Sequence, residues 1–141
     1  MPARILIADD HELSRAGIKT LLRGPDWEIC GEAADGNDAV AKFRELRPDL
    51  IILDALMPRS NGIEAAHKIR KISPSAKILV VSMHDSASLV QLATVVGADA
   101  FLTKSQCGHF LNETVRSLLH PSPDPSAAAR ASAGVAAPPA A

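Results

Sequence analysis

Leu50-Ile51-Ile52-Leu53-Asp54-Ala55-Leu56-Met57-Pro58-Arg59-Ser60-Asn61-Gly62 is the stretch that decides the fold. Four aliphatic residues run into one carboxylate, and Pro58 and Gly62 follow before the next helical pattern begins. That is a buried strand with Asp54 at its C-terminal end, where open α/β sheets place their ligands. An Asp at a strand end also serves simply to cap a turn, so the weight of Asp54 depends on what accompanies it. Three other apolar runs end in chemistry: Ile5 to Ala8 at Asp9-Asp10, Ile78 to Val81 at Ser82, and Ala100 to Thr103 at Lys104.

On either side of this centre the chain alternates two patterns. Leu13, Ala16, Gly17, Ile18, Leu21 and Leu22 recur at helical spacing until Gly24-Pro25. Trp27 to Ala33 reads as a weaker strand, placed by Glu28 and Gly31 at an edge or beside a close packing contact. Gly36-Asn37 opens a helix through Ala39, Val40, Phe43 and Leu46, ended by Pro48. Gly62 to Ile72 is the next, with Ile63, Ala66, Ile69 and Ile72 on one face and Glu64, Lys68, Arg70 and Lys71 on a solvated one. Ser86 to Val96 is helical and closed by Gly97, and residues 108 to 119 make the last helix. The continuous β-branched run Ile78 to Val81 suits a strand covered on both faces. Five strands alternating with five helices predict a doubly wound parallel sheet with helices on both sides.

Composition narrows the function classes. The 141 residues suffice for one domain with a substantial core. Fifteen basic residues against sixteen acidic give no field for nucleic acid. Cys30 and Cys107 have no Cys-x-x-Cys spacing, which fits a reducing compartment. No signal-peptide pattern and no span of about twenty apolar residues is present, so a cytoplasmic protein without membrane contact is expected. Residues 1–119 are read as the folded domain. Residues 120–141 are rich in Ala, Pro and Ser, carry only Asp124 and Arg130 as charges, and are expected to form a disordered tail.

In a parallel sheet the C-terminal strand ends share one edge, so Asp9, Asp10, Asp54, Ser82 and Lys104 converge. Three neighbouring carboxylates call for a cation, and an all-oxygen site with room for water suits Mg²⁺. Lys104 adds an ammonium and Ser82 a hydroxyl donor for a phosphoryl group carried by Asp54. Trp27 is read as an anchor under the first helix, His11 as a surface residue, and Asn61-Gly62 as the shaper of the turn after the site.

Residues 4 to 119 resemble the receiver domain of two-component response regulators. The resemblance rests on Ile5 to His11, Gly31 to Gly36, Asp54 with Met57-Pro58 and Asn61-Gly62, Ser82-Met83-His84, Gly97 to Phe101, and Thr103-Lys104, in this order. It is similar to receivers that precede a helix-turn-helix output domain, although nothing foldable is expected after Leu119. The resemblance implies a flavodoxin-like strand order 2-1-3-4-5, Asp54 as phosphoacceptor, and Mg²⁺ held by Asp9, Asp10, Asp54 and the backbone carbonyl of Leu56. It implies that Ser82 and Lys104 grip the phosphoryl group. Phe101, without a phenol hydroxyl, would be the aromatic switch that turns inward with Ser82. Leu56 and His84 would tune phosphoryl lifetime. The phosphodonor would be a histidine kinase or phosphotransfer protein, and the domain would assist its own phosphorylation without being an enzyme.

A flavodoxin-like cofactor binder would need a phosphate-cradling loop where Asp9-Asp10 stand. An Asp-nucleophile hydrolase would want a second acid near Asp54, yet residues 55–57 are apolar. A degenerate receiver would lack one of the site residues. Finally, Ser86 to Ala98 contains no charge. With Leu89, Val90, Ala93 and Val96 assigned inward, Leu92 and Val95 point outward and Phe110 extends them, an expected interaction face for a phosphorylation-dependent homodimer or a separate output protein.

Overall fold

A computed structural model describes residues 2–57, 61–84 and 86–120. The expected tail from 121 onward, with Pro58 and the other residues of 58–60, lies outside the described residues. The chain runs β1 (Ala3–Ala8), α1 (Glu12–Leu21), β2 (Trp27–Ala33), α2 (Gly36–Leu46), β3 (Leu50–Asp54), α3 (Gly62–Ile72), β4 (Lys77–Ser82), α4 (Ala87–Val95), β5 (Ala100–Thr103) and α5 (Cys107–Leu119). All pairings are parallel, and the sheet order is β2-β1-β3-β4-β5. The doubly wound, flavodoxin-like reading is therefore correct.

Alternation along each strand builds two cores. Leu6, Ala8, Ile51, Leu53, Ile78 and Val80 face one way, under α2, α3 and α4. Ile5, Ile7, Leu50, Ile52, Leu79 and Val81 face the other, under α1 and α5. The strands in the middle are buried on both faces, and each fully buried Ile or Leu contributes about 1.5–3 kcal/mol. β2 lies at an edge, as its composition predicted. Its register against β1 shifts between Ile5 and Leu6, opposite Gly31, where a Cβ would stand 2.6 Å from Cδ1 of Leu46. Trp27 is buried, its indole N–H donating to the Leu22 carbonyl beneath the end of α1, with the Arg116 guanidinium 5.4 Å over its ring.

Three sequence expectations are corrected by the packing. Leu13, in the first turn of α1, is 87% exposed, whereas Ile18 further along the helix is buried. Ile72 is also partly exposed, while Ala65 is buried beside Ala66 and Ile69. Arg70 does not belong to a solvated face. Its Nη2 donates to the Gly97 carbonyl and to Asp99 Oδ2, both at 2.7 Å, and its Nη1 donates to the Ala76 carbonyl at 2.5 Å. Asp99 in turn accepts from the N–H of Ile78 at 2.8 Å. The end of α3, the start of β4 and the loop after α4 are thus tied at one guanidinium. Gly97 closes α4 as the sequence anticipated, and does so at φ +101, a conformation that favours glycine.

Candidate functional site

The sheet brings Asp9, Asp10, Asp54, Ser82 and Lys104 to one edge because β1, β3, β4 and β5 all end there. Asp9 is fully buried, and Asp54 is nearly so. Lys104 follows β5, and its N–H donates to the Ser82 carbonyl, fixing the loop. Its Nζ reaches Asp9 Oδ2 at 2.7 Å, Ser14 Oγ at 3.2 Å and Asp54 Oδ2 at 3.3 Å. The other oxygen of Asp54 accepts from the N–H of Leu56 at 3.1 Å. Asp9 Oδ1 accepts from the N–H of His11 at 2.8 Å.

Burial pushes the Asp54 carboxyl above its ordinary range, and the charge of Asp9 adds to this, against the Leu56 N–H and Lys104, which favour the anion. Burial works against the Lys104 ammonium, but the two carboxylates together outweigh it and raise its pKa. The ammonium is therefore a fixed charge at neutral pH, facing a largely buried carboxylate.

Ligand atoms of Asp9, Asp10, His11 and Asp54 all lie within 4.8 Å of one another. Asp10 Oδ1 is buried with no hydrogen-bond donor among the described residues. A buried carboxylate oxygen left unpartnered among further acids suits a hard divalent cation, and three carboxylates match Mg²⁺. His11 Nδ1 stands 3.2 Å from Asp10 Oδ1 but is largely exposed. The donor set thus fits the ion inferred from the sequence.

Ser82 is buried, its Oγ accepting from the N–H of His84 at 3.1 Å; among the described residues its side chain makes no hydrogen bond to Asp54. Phe101 is already turned in, buried with Val80, Val90 and Ala93 in the core under α4. Leu56 is more than half exposed beside Asp54.

Two features escaped the sequence reading. Ser14 contributes a hydroxyl to Lys104, one helical turn after the acidic pair. Gly62 has no positive φ, so the turn does not require its backbone freedom. It is needed for proximity: a Cβ there would lie 1.9 Å from the Asp54 carbonyl oxygen. Asn61 acts as the N-cap of α3, its side chain accepting from the N–H of Glu64 at 2.8 Å.

The expected interaction face is partly as drawn. Val90 and Ala93 are buried and Leu89 and Val96 partly so, while Leu92 is 52% and Val95 75% exposed. Phe110 does not stand free beside them. It is half-buried, packed on the core under α1 and α5.

The family model of the response regulator receiver domain matches residues 5–116. The chain is 40% identical over 104 residues to the chemotaxis protein CheY of Thermotoga maritima, covering 74% of this chain and 87% of that protein. It is 37% identical over 114 residues to the transcriptional regulatory protein DegU of Brevibacillus brevis, covering 80% of this chain and 48% of that one. The chain thus spans about half the length of that longer relative. The crystal structure of a two-component response regulator of the LuxR family from an Aurantimonas species superposes with a TM-score of 0.81 at 32% identity, covering 93% of this chain and 96% of that one.

Proposed function

The chain belongs to the response regulator receiver family, and from that premise we propose that it is a phosphoaspartate switch whose acceptor is Asp54. The observation that best supports this is the Lys104 ammonium bridging Asp9 and Asp54 beside an unpartnered oxygen of Asp10. A carboxylate oxygen of Asp54 attacks phosphorus, forming the new P–O bond as the P–N bond of a phosphohistidine breaks and the imidazole takes the electron pair. Asp9, Asp10, Asp54 and the backbone carbonyl of Leu56 would hold Mg²⁺, which when bound would screen the charge of the transferring oxygens. Lys104 leaves its carboxylates for the phosphoryl oxygens, and Ser82 donates its hydroxyl to them. Burial of Asp54 keeps water away from the reacting atoms until the donor docks.

The donor is a histidine kinase or phosphotransfer protein of the cytoplasm, and the domain assists its own phosphorylation and dephosphorylation without being an enzyme in its own right. No helix among the described residues is long and apolar enough to cross a membrane. With charges nearly balanced, output is assigned to protein contacts rather than to direct nucleic-acid binding. The uncharged α4 face, with Leu92 and Val95 exposed, receives either a second copy of the chain or a separate output protein.

Labelling with a small phosphodonor tests the acceptor. One acid-labile phosphoryl group per chain is expected, dependent on Mg²⁺ and absent from Asp54→Asn. Undiminished labelling of that variant would overturn the assignment.

A further inference from the structure

Every polar atom of Asp9 is matched. Its N–H donates to the Ala33 carbonyl at 3.0 Å, its Oδ1 accepts from the His11 N–H, and its Oδ2 accepts from Lys104. Its backbone carbonyl accepts from Nη1 of Arg15 at 2.6 Å. Arg15, on α1, is the only one of these partners with no part in the chemistry above and no place in the sheet or the turn. Its side chain is 16% exposed, and it is itself held: Nε donates to Glu32 Oε1 at 2.9 Å. Glu32, on the neighbouring β2, takes Lys19 on its other oxygen at 2.9 Å, and its backbone carbonyl accepts from Lys42 of α2. The Lys19 hydrogen bond, and then that of Arg15, hold the Glu32 carboxyl below its usual range against the effect of its burial. The clamp therefore stays ionised across the neutral range.

We propose that Arg15 is a positioning residue for the acidic pair: gripped by Glu32, its guanidinium fixes the Asp9 carbonyl and so sets the direction in which Asp9 and Asp10 present their carboxylates to a divalent cation. The inference rests on the reading of Asp9 and Asp10 as metal ligands. The choice of residue follows from geometry. Nε and Nη1 address two acceptors at once from one rigid plane, whereas a lysine offers a single nitrogen. The peptide between Asp9 and Asp10 includes the clamped carbonyl, so a rotation there swings Asp10, whose Oδ1 has no hydrogen bond of its own to restore it.

Positioning and plain electrostatics predict opposite signs. A cation near the site repels Mg²⁺, so if charge alone mattered, removing Arg15 would leave Mg²⁺ affinity unchanged or raise it. If Arg15 positions the acids, its removal weakens binding, by about tenfold on the scale typical of residues that orient metal ligands. Mg²⁺ binding is measured by titration calorimetry on the whole chain without phosphodonor, after a melt confirms that each variant is folded. Arg15→Met, and the double variant Arg15→Met with Glu32→Gln, which leaves net charge unchanged, are both expected to raise the Kd about tenfold. Arg15→Lys is expected to leave most of that loss in place. Should Arg15→Met not fold, Arg15→Gln, which removes the same charge and the two-point grip but keeps a polar end, is expected to raise the Kd in the same direction. In labelling, the half-saturating Mg²⁺ concentration should rise in step with the Kd. Unchanged or tighter binding in these variants, or full rescue by Lys, overturns the inference. A wild-type chain that binds no Mg²⁺ or accepts no phosphoryl group overturns instead the function proposed above.

Discussion

Gly62→Ala tests how closely the fold is built around Asp54. Alanine is a better helix former than glycine, and Gly62 has no positive φ, so local propensity predicts a gain from this substitution. Tertiary contact predicts the reverse. The new methyl would lie 1.9 Å from the Asp54 carbonyl oxygen, 2.8 Å from its carbon and 3.1 Å from Cα of Ala55. All three are backbone atoms, which cannot swing aside as the tip of a side chain does. Relief requires α3 to lift, or the end of β3 to sink, by more than an ångström, against the N–H of Gly62 that ties the two through the Ala55 carbonyl at 3.0 Å. Overpacking of this kind costs about 1–3 kcal/mol. A nucleophile displaced by an ångström loses on the order of 10²-fold in rate. Denaturant melts and labelling by a small phosphodonor at saturating Mg²⁺ should therefore show a lower midpoint and a labelling rate reduced about a hundredfold. Gly17→Ala is the control: it lies in α1 with no atom within 4 Å of the added methyl, and should gain roughly 0.5–1 kcal/mol. If Gly62→Ala labels at the parent rate and melts with or above it, the argument from close approach is wrong.

The raised pKa of Asp54 makes a statement about stability. The folded state holds the Asp54 proton more tightly than the unfolded chain does, so this group's contribution is full below the unfolded value near 3.8 and is lost as pH rises through the folded value. Asp54→Asn should therefore melt higher than the parent at pH 7 without divalent cation. The gap should close on acidification toward pH 3.8 and on addition of Mg²⁺; equal melting throughout would remove desolvation as a significant factor. Arg70→Met should cost about 2 kcal/mol, because it leaves the carbonyls of Gly97 and Ala76 without their donor, and a midpoint unchanged in urea would contradict that accounting. Leu92→Glu should label as the parent does yet lose phosphorylation-dependent association in sedimentation. Association at parental strength would move the output face elsewhere.

The sheet was legible because its signals are local and repeated: apolar runs that stop at a charged or hydroxylated residue, followed by helical spacing. The convergence of Asp9, Asp10, Asp54, Ser82 and Lys104 then follows from parallel topology alone. What stayed hidden depends on side chains meeting across elements. Arg70 reads as one more charge on an exposed helix until Gly97 and Asp99 are seen beside it. Arg15 and Glu32 lie 17 positions apart and carry no motif. Gly62 was noticed for the wrong reason, since a turn glycine and a contact glycine look alike in one sequence. Leu13 fits a helical stripe by spacing, but a stripe does not say which of its turns is covered.

The junction at Arg70 also constrains how this chain can diverge. A Cβ at Gly97 would sit 2.9 Å from Cγ of Arg70, while the guanidinium beyond that carbon is the donor for the Gly97 carbonyl and the partner of Asp99. Substituting any one of the three first passes through a worse intermediate: a crowded loop, an orphaned carbonyl or an unpaired acid. Positions 70, 97 and 99 should therefore be inherited as a set among descendants of this sequence. Drift should instead accumulate on the far side of the same helix, at Lys68 and Lys71, where nothing in the fold records which residue is present.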